Sequence, residues 1–257
     1  MTRRWTLVLL LAVATACSSA APVLSPRATP ASPAPAVAAT PTAAAEPSFR
    51  ASTAIRWVRD SAERRALFLQ VYRQATAHVE QVALARPAGT WAVVLDGDET
   101  VLDNSLYQLE RETVGKSFDS ASWRAWTARR EAVPLPGVAA FLTRVKMLGG
   151  VVAIVTNRTE TECPDTEAVF LSHGLPFDLM LCKQDDGVSD KSGRFEAIER
   201  GTTSAGMPPL EIVAFVGDNM LDFPALSQAL RQQGDEAFAE FGTRFFMLPN
   251  PMYGSWN

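Results

Sequence analysis

Asp96 and Asp98 stand two residues apart in Asp96-Gly97-Asp98-Glu99-Thr100, directly after the apolar run Trp91-Ala92-Val93-Val94-Leu95. Carboxylates at that spacing on an abrupt turn can face one small volume, where one serves as nucleophile or metal ligand and the other moves protons. A solvated turn shares the spacing. The start of a calcium loop shares it too, but the Gly and the distal Glu that such a loop requires are missing at their offsets. A second apolar run, residues 151–155, ends in Thr156-Asn157-Arg158. A hydroxyl directly after a buried strand can donate to a phosphoryl oxygen or simply cap a turn. Lys191 opens a later helical stretch, with Arg194 one turn on; it carries chemistry only if it points at the volume that Asp96 faces. A further run, residues 212–216, ends in Gly217-Asp218-Asn219, and Asp222 follows. That acidic pair suits a hard divalent cation, although Asp222 alone could cap the helix after it.

Such groups must be carried by elements that bring strand ends together. The short apolar runs at 91–95, 151–155, 179–181 and 212–216 have the character of strands buried on both faces. Helical stretches are expected between them at 138–148, 166–173, 192–200 and 223–233. Ahead of them Ile55, Val58, Ala62, Leu69, Tyr72, Thr76, Val79 and Ala83 form one apolar stripe, which predicts a single long helix ended before Pro87 and Gly89. Strand and helix in alternation predict an α/β fold, a parallel sheet sandwiched by helices. Ligands of such sheets sit outside the carboxyl ends of the strands, which is where the polar motifs fall.

The 257 residues are 47% hydrophobic and 20% charged, with mean hydropathy +0.01, which excludes a chain disordered throughout and a multi-span membrane protein. A net charge of -4 and no long basic run argue against a nucleic acid polymer as partner. The first 48 residues differ from the rest. Arg3 and Arg4, the apolar residues 5–13 and the small Ala14-Thr15-Ala16 before Cys17 have the order of a signal peptide, residues 1–16. The apolar run falls far short of the roughly 20 residues of a membrane-spanning helix. Ending on Cys17, it resembles the bacterial lipoprotein signal, in which that Cys is lipidated; Ala14 departs from the commoner Leu, and simple secretion is the alternative. Residues 17–48, rich in Ala and Pro and almost uncharged, predict a lipid attachment site and an extended tether.

Taken together, the four strand-end motifs resemble those of the haloacid dehalogenase superfamily of phosphotransferases. More closely, the chain is similar to the class C acid phosphatases, which include outer-membrane lipoprotein nucleotidases. The stretches that carry this are 57–66 (WVRDSAERRA), 96–105 (DGDETVLDNS), 118–129 (FDSASWRAWTAR), Thr156-Asn157-Arg158, 217–223 (GDNMLDF) and 248–256 (LPNPMYGSW). Two residues depart from the family pattern: Gly97, where a larger apolar residue is usual, and Leu221, where an acidic one is frequent.

The resemblance implies a phosphatase domain over 49–257 with a small, mainly helical cap at about 106–135. It implies an Mg2+-dependent phosphomonoesterase in which Asp96 forms an aspartyl phosphate and Asp98 is acid and base. Mg2+ would be held by Asp96, the Asp98 backbone carbonyl and Asp218, with Asp222 behind them. Thr156, Asn157 and Lys191 would bind the phosphoryl group, and Trp123 and Tyr253 would contact the substrate. Trp126 is either packed core or cap. The implied substrates are 5'-nucleotides or nicotinamide mononucleotide, and the implied setting is the cell envelope, lipid-anchored at the outer membrane, with a second copy of the chain as a further partner. A sugar-phosphate or broad small-ester phosphatase and a non-catalytic surface lipoprotein are the alternatives. His78 and His173 have no metal-ligand spacing. Cys163 and Cys182 follow the second and third strand ends, and their pairing stays open.

Overall fold

The computed structural model describes residues 49–257, so the expected signal peptide, Cys17 and the tether through residue 48 lie outside the described residues. Two helices open it, α1 (Thr53–Asp60) and α2 (Ala62–Ala83), where the apolar stripe predicted one. Ser61 makes the break. Its backbone is extended, and its hydroxyl accepts from the Arg64 N–H at 3.2 Å, so it caps α2 instead of continuing α1. The buried stripe of α2 is Phe68, Tyr72, Ala75 and Val79.

The sheet has five parallel strands: β1 (Trp91–Leu95), β4 (Val151–Thr159), β5 (Leu179–Lys183), β6 (Glu211–Gly217) and β7 (Phe245–Met247), in the order β5-β4-β1-β6-β7. Its strands alternate between two apolar clusters. Val93, Leu95, Val152 and Ile154 join α2, α5 (Val138–Met147) and α6 (Cys163–Ser172); Ala92, Val94, Val151 and Ala153 join α7 (Ser192–Arg200) and Phe245. A strand buried on both faces must be apolar at every position, which is why these segments read as unbroken runs.

Between β1 and α5 the chain leaves the sheet. A two-residue antiparallel pair, β2 (Leu102–Asp103) with β3 (Val133–Pro134), closes the base of an insertion holding α3 (Ser105–Thr113) and α4 (Ser120–Arg129). The helix expected over 223–233 is absent. Pro224 leaves Phe223 extended, Ala225 takes a positive φ of 60°, and Ser227 begins a short 3-10 turn at Gln228–Gln232. Cys163, at the start of α6, is disulfide-bonded to Cys182 in β5. No described helix is long and apolar enough to cross a membrane.

Candidate active site

The carboxyl ends of β1 and β6 bring the acidic motifs together. Oxygens of Asp96, Asp218 and Asp222 lie within 4.8 Å of one another. Lys191, the residue before α7, is buried and reaches the same volume: its Nζ donates to Asp96 and, at 2.7 Å, to Asp222 Oδ1. The condition set by the sequence for Lys191 is therefore met. Burial pushes the Asp96 carboxyl up to about 7, although the Lys191 charge pulls it down; Asp222 and Asp98 raise it further. Burial would lower the Lys191 ammonium, but Asp222 and Asp96 outweigh it and hold the group above its usual value.

Close packing at the floor depends on two glycines. A Cβ on Gly217 would lie 2.4 Å from Cβ of Asp222, so only glycine lets the 3-10 turn at Met220–Asp222 fold back on the strand end. A Cβ on Gly97 would lie 3.0 Å from Oγ1 of Thr156. Gly97 thus lets the loop after β1 approach the Thr156 hydroxyl, which is fully buried and accepts from the Arg158 N–H at 3.1 Å. The loop then turns sharply. Val101 and Leu102 both donate to the Gly97 carbonyl, and Glu99 has a φ of 54°, a strained setting for a residue other than glycine.

Asp98 faces a different set of partners. Its Oδ1 accepts from Arg158 Nε and from Asn104 Nδ2, each at 2.9 Å, and lies 2.8 Å from Arg158 Nη2 in an ion pair. Asn104 Oδ1 in turn accepts from Arg158 and from the Trp126 indole, each near 3 Å (3.0 and 2.9 Å). Trp126, in α4, is thus buried structure that fixes Asn104, a partner of Asp98. Trp123 is half-buried, packs edge-on to Tyr107 at 5.0 Å between ring centroids, and lies 5.5 Å from the Arg158 guanidinium carbon. Tyr253 is half-buried in the C-terminal segment. The Asn157 side chain lies between Arg194 Nη2 at 2.6 Å and the Ser189 carbonyl at 2.9 Å, tying β4 to the start of α7. His78 and His173 bond backbone carbonyls away from this cluster.

The residues present fit a divalent cation. Asp96, Asp218 and Asp222 outnumber the one ammonium among them, and every donor is a carboxylate oxygen, the ligand type of a hard ion. Both oxygens of Asp222 are engaged, by Lys191 and by the Asn219 N–H at 2.9 Å, which suits a supporting position. Among the described residues, Asp218 meets only uncharged donors, Thr100 Oγ1 at 3.2 Å and Asn250 Nδ2 at 2.9 Å. Asn104 and Asn250 were not singled out by sequence reasoning, and Arg158 was noted only within its tripeptide. For Arg158 the available signal was a cation inside an apolar strand, two residues after Thr156.

A parallel α/β sheet with an acidic pair at the end of its first strand, a hydroxyl at the second and a buried Lys beside them defines a phosphotransferase of the haloacid dehalogenase class. The family model for the HAD superfamily, subfamily IIIB (Acid phosphatase) matches residues 27–256, and the chain belongs to that family. It is similar to the class C acid phosphatase from Bacillus anthracis, at 30% identity and a TM-score of 0.70 over 79% of this chain and 84% of that one. The crystal structure of that enzyme with tungstate bound matches equally, at 30% identity and a TM-score of 0.70. The protein is a phosphomonoester hydrolase, an acid phosphatase; the haloacid dehalogenase fold expected from the sequence holds, and the Asp cluster could bind a metal.

Proposed function

We propose that this acid phosphatase works through an aspartyl phosphate on Asp96, with Mg2+ as its metal, and acts on 5'-nucleotides or nicotinamide mononucleotide outside the inner membrane. The observation that carries the reading is the convergence of Asp96, Asp218, Asp222 and Lys191 beside an Asp98 held by its own, separate partners. Two carboxylates in different surroundings suit two different tasks.

In this mechanism a carboxylate oxygen of Asp96 attacks phosphorus as the ester P–O bond breaks, and Asp98 gives its proton to the departing oxygen. Asp98 then takes a proton from the water that attacks the phosphorus of the aspartyl phosphate, which releases inorganic phosphate and restores Asp96. Asp96, the Asp98 backbone carbonyl and Asp218 would hold Mg2+, which when bound offsets the charge of an anionic substrate meeting an anionic nucleophile. Thr156 and Lys191 donate to phosphoryl oxygens, and Asp222 orients Lys191 from behind. Asn157, expected from the sequence to bind the phosphoryl group too, has its amide engaged by Arg194 and the Ser189 carbonyl and instead ties the Thr156 strand to the start of the Lys191 helix. The similar B. anthracis enzyme has been solved with tungstate bound, a phosphate-like oxyanion, which supports an oxyanion ligand for this chain as well. Hydrolysis of an aryl phosphate with Mg2+ and with EDTA tests the mechanism: chelation should remove turnover and Mg2+ restore it, and a chelator-resistant enzyme would overturn the metal assignment.

The leaving group would lie against aromatic rings of the cap and the C-terminal segment, Trp123 and Tyr253, where a flat base gains more than a sugar. The Cys163–Cys182 disulfide supports an oxidising compartment. Lipidation at Cys17, with Ser18 after it, would anchor the enzyme at the outer membrane of a Gram-negative cell. Wild type should then partition with membranes and Cys17→Ser should be released or left unprocessed; a soluble, cleaved, lipid-free wild type would overturn the anchor.

A further inference from the structure

The C-terminal segment makes contacts at the metal-site carboxylates that the mechanism above leaves unused. After β7 the backbone stays paired to β6 as far as Leu248, whose N–H donates to the Gly217 carbonyl at 2.8 Å. Asn250 then turns inward. Its Nδ2 donates to Asp218 Oδ2 at 2.9 Å, while its Oδ1 accepts from the Met252 N–H at 3.0 Å. Both ends of the amide are thus committed, one to the acidic cluster and one to its own turn. Five residues on, Ser255 Oγ donates to Asn219 Oδ1 at 2.7 Å and accepts from Gln228 Nε2 at 3.1 Å. Asn219 itself caps the turn that carries Asp222. The segment between these two ties contains Tyr253.

Asp218 needs such support. It is the carboxylate of the cluster that Lys191 does not touch, so among the described residues only Thr100 on one oxygen and Asn250 on the other fix its plane. A carboxylate free to rotate would lose orientational freedom on each metal-binding event, and that loss weakens binding. We propose that Asn250 is a positioning residue that sets the plane of the Asp218 carboxylate for the divalent cation. Through its turn at Met252, Asn250 also fixes where the Tyr253 segment leaves the metal site. This rests on the metal reading above.

The test is direct Mg2+ binding by calorimetry on the purified enzyme stripped with EDTA, without substrate. Asn250→Ala removes both contacts. Asn250→Ser keeps a short acceptor for the Met252 turn but cannot reach Asp218, and it carries the test if the alanine variant does not fold. Each folded variant should bind Mg2+ about 10- to 100-fold more weakly than wild type. The Mg2+ concentration for half-maximal activity should rise in parallel, while kcat at saturating Mg2+ is largely recovered. Ser255→Ala, which loosens the other tie, should leave Mg2+ affinity unchanged and raise KM for a nucleotide. Folded Asn250 variants that bind Mg2+ as wild type does would overturn the proposal while leaving the metal reading intact. A wild type that binds no Mg2+ would overturn both.

Discussion

The strand-end floor and the α3–α4 insertion, the proposed cap, are held by different physics. At the floor, Lys191, Asp222 and Asp96 pair with side chains only 2%, 6% and 9% exposed, so each charge is desolvated and depends on its partners. In the cap, Arg129 meets Glu110 at 2.6 Å with the two side chains 38% and 43% exposed, a pair worth at most about 1 kcal/mol. Removing the Lys191 charge would strand two carboxylates in a dry site. A cap charge that loses its partner simply turns to water. The proposed chemistry therefore lies where charges are buried and mutually dependent, and the proposed selectivity lies where they are solvated.

The sharpest way to break this contrast is at the floor. Asp96→Asn should abolish turnover of an aryl phosphate in a protein whose circular dichroism is unchanged. Asp98→Asn should lower kcat by about 10²- to 10⁴-fold, the usual weight of general acid–base catalysis. Substantial turnover by purified Asp96→Asn would end the aspartyl-phosphate mechanism.

The cap should respond in substrate choice. Stacking a base on a ring contributes about 1–3 kcal/mol, roughly a 5- to 150-fold change in affinity. Tyr253→Ala and Trp123→Ala should raise KM for a 5'-nucleotide by a factor in that range and leave a small alkyl phosphate nearly unaffected. Equal loss for every substrate would mean that both rings are packing. Trp123 carries the stiffer condition, because it already packs against Tyr107 and Phe118.

Stability against pH should have opposite signs in the two regions. Asp96, raised to about 7, binds its proton more tightly folded than unfolded. Its favourable contribution is complete below its ordinary value near 3.8 and is lost as pH rises through about 7. Glu99 and Asp218, raised chiefly by burial, act in the same direction. In the cap, hydrogen bonds from Arg129 lower Glu110, and hydrogen bonds from Ser122 lower Asp119. Those groups favour the fold above their ordinary values and lose that contribution as pH falls. The metal-free enzyme should therefore melt at lower temperature as pH rises from about 4 to about 7, and Asp96→Asn should flatten that slope. At pH 7, Mg2+ at 100 times its Kd should restore about 2.7 kcal/mol. A slope unchanged in Asp96→Asn would show that the floor does not govern it.

The floor was legible because each of its groups follows an apolar run or opens a helix, so strand ends and motifs coincide at Asp96, Thr156 and Asp218. The supporting residues were not, because their roles arise from contacts across the chain. Arg158 meets Asp98 sixty positions away, Asn250 meets Asp218 thirty-two away, and neither partner is marked by local spacing. Local chemistry also overrode periodicity twice: Ser61 capped α2 and split one apolar stripe into two helices, and Pro224 with Ala225 replaced an expected helix with 3-10 turns. The short β7 was missed because three residues carry too little pattern.

Gly97 should give the smallest effect, and it tests whether the floor is rigid at every position. If glycine in place of the family's usual larger residue loosened the nucleophile loop, alanine would raise the rate. The geometry opposes this. The backbone at Gly97 is not in the left-handed region, so it accepts alanine, but the new Cβ would lie 3.0 Å from Thr156 Oγ1 and 3.2 Å from Thr156 Cβ. The carbon–carbon contact is shorter than the roughly 3.5–4.0 Å of relaxed contact between carbon atoms, and the contact with the hydroxyl oxygen is tighter still. Thr156 is fully buried, so it can yield only by a small shift. Against this strain, alanine reduces the freedom of the unfolded chain by about 0.4–1 kcal/mol. The two nearly cancel in stability, and the melting temperature of Gly97→Ala should hardly move. Catalysis has no such compensation, because the displaced atom is the hydroxyl that would meet the phosphoryl group. A misfit of about 1 kcal/mol in the transition state lowers kcat roughly fivefold. A rate above wild type would show that the loop is too loose with glycine, and a loss beyond about a hundredfold, near 2.7 kcal/mol, would show that Thr156 cannot yield at all.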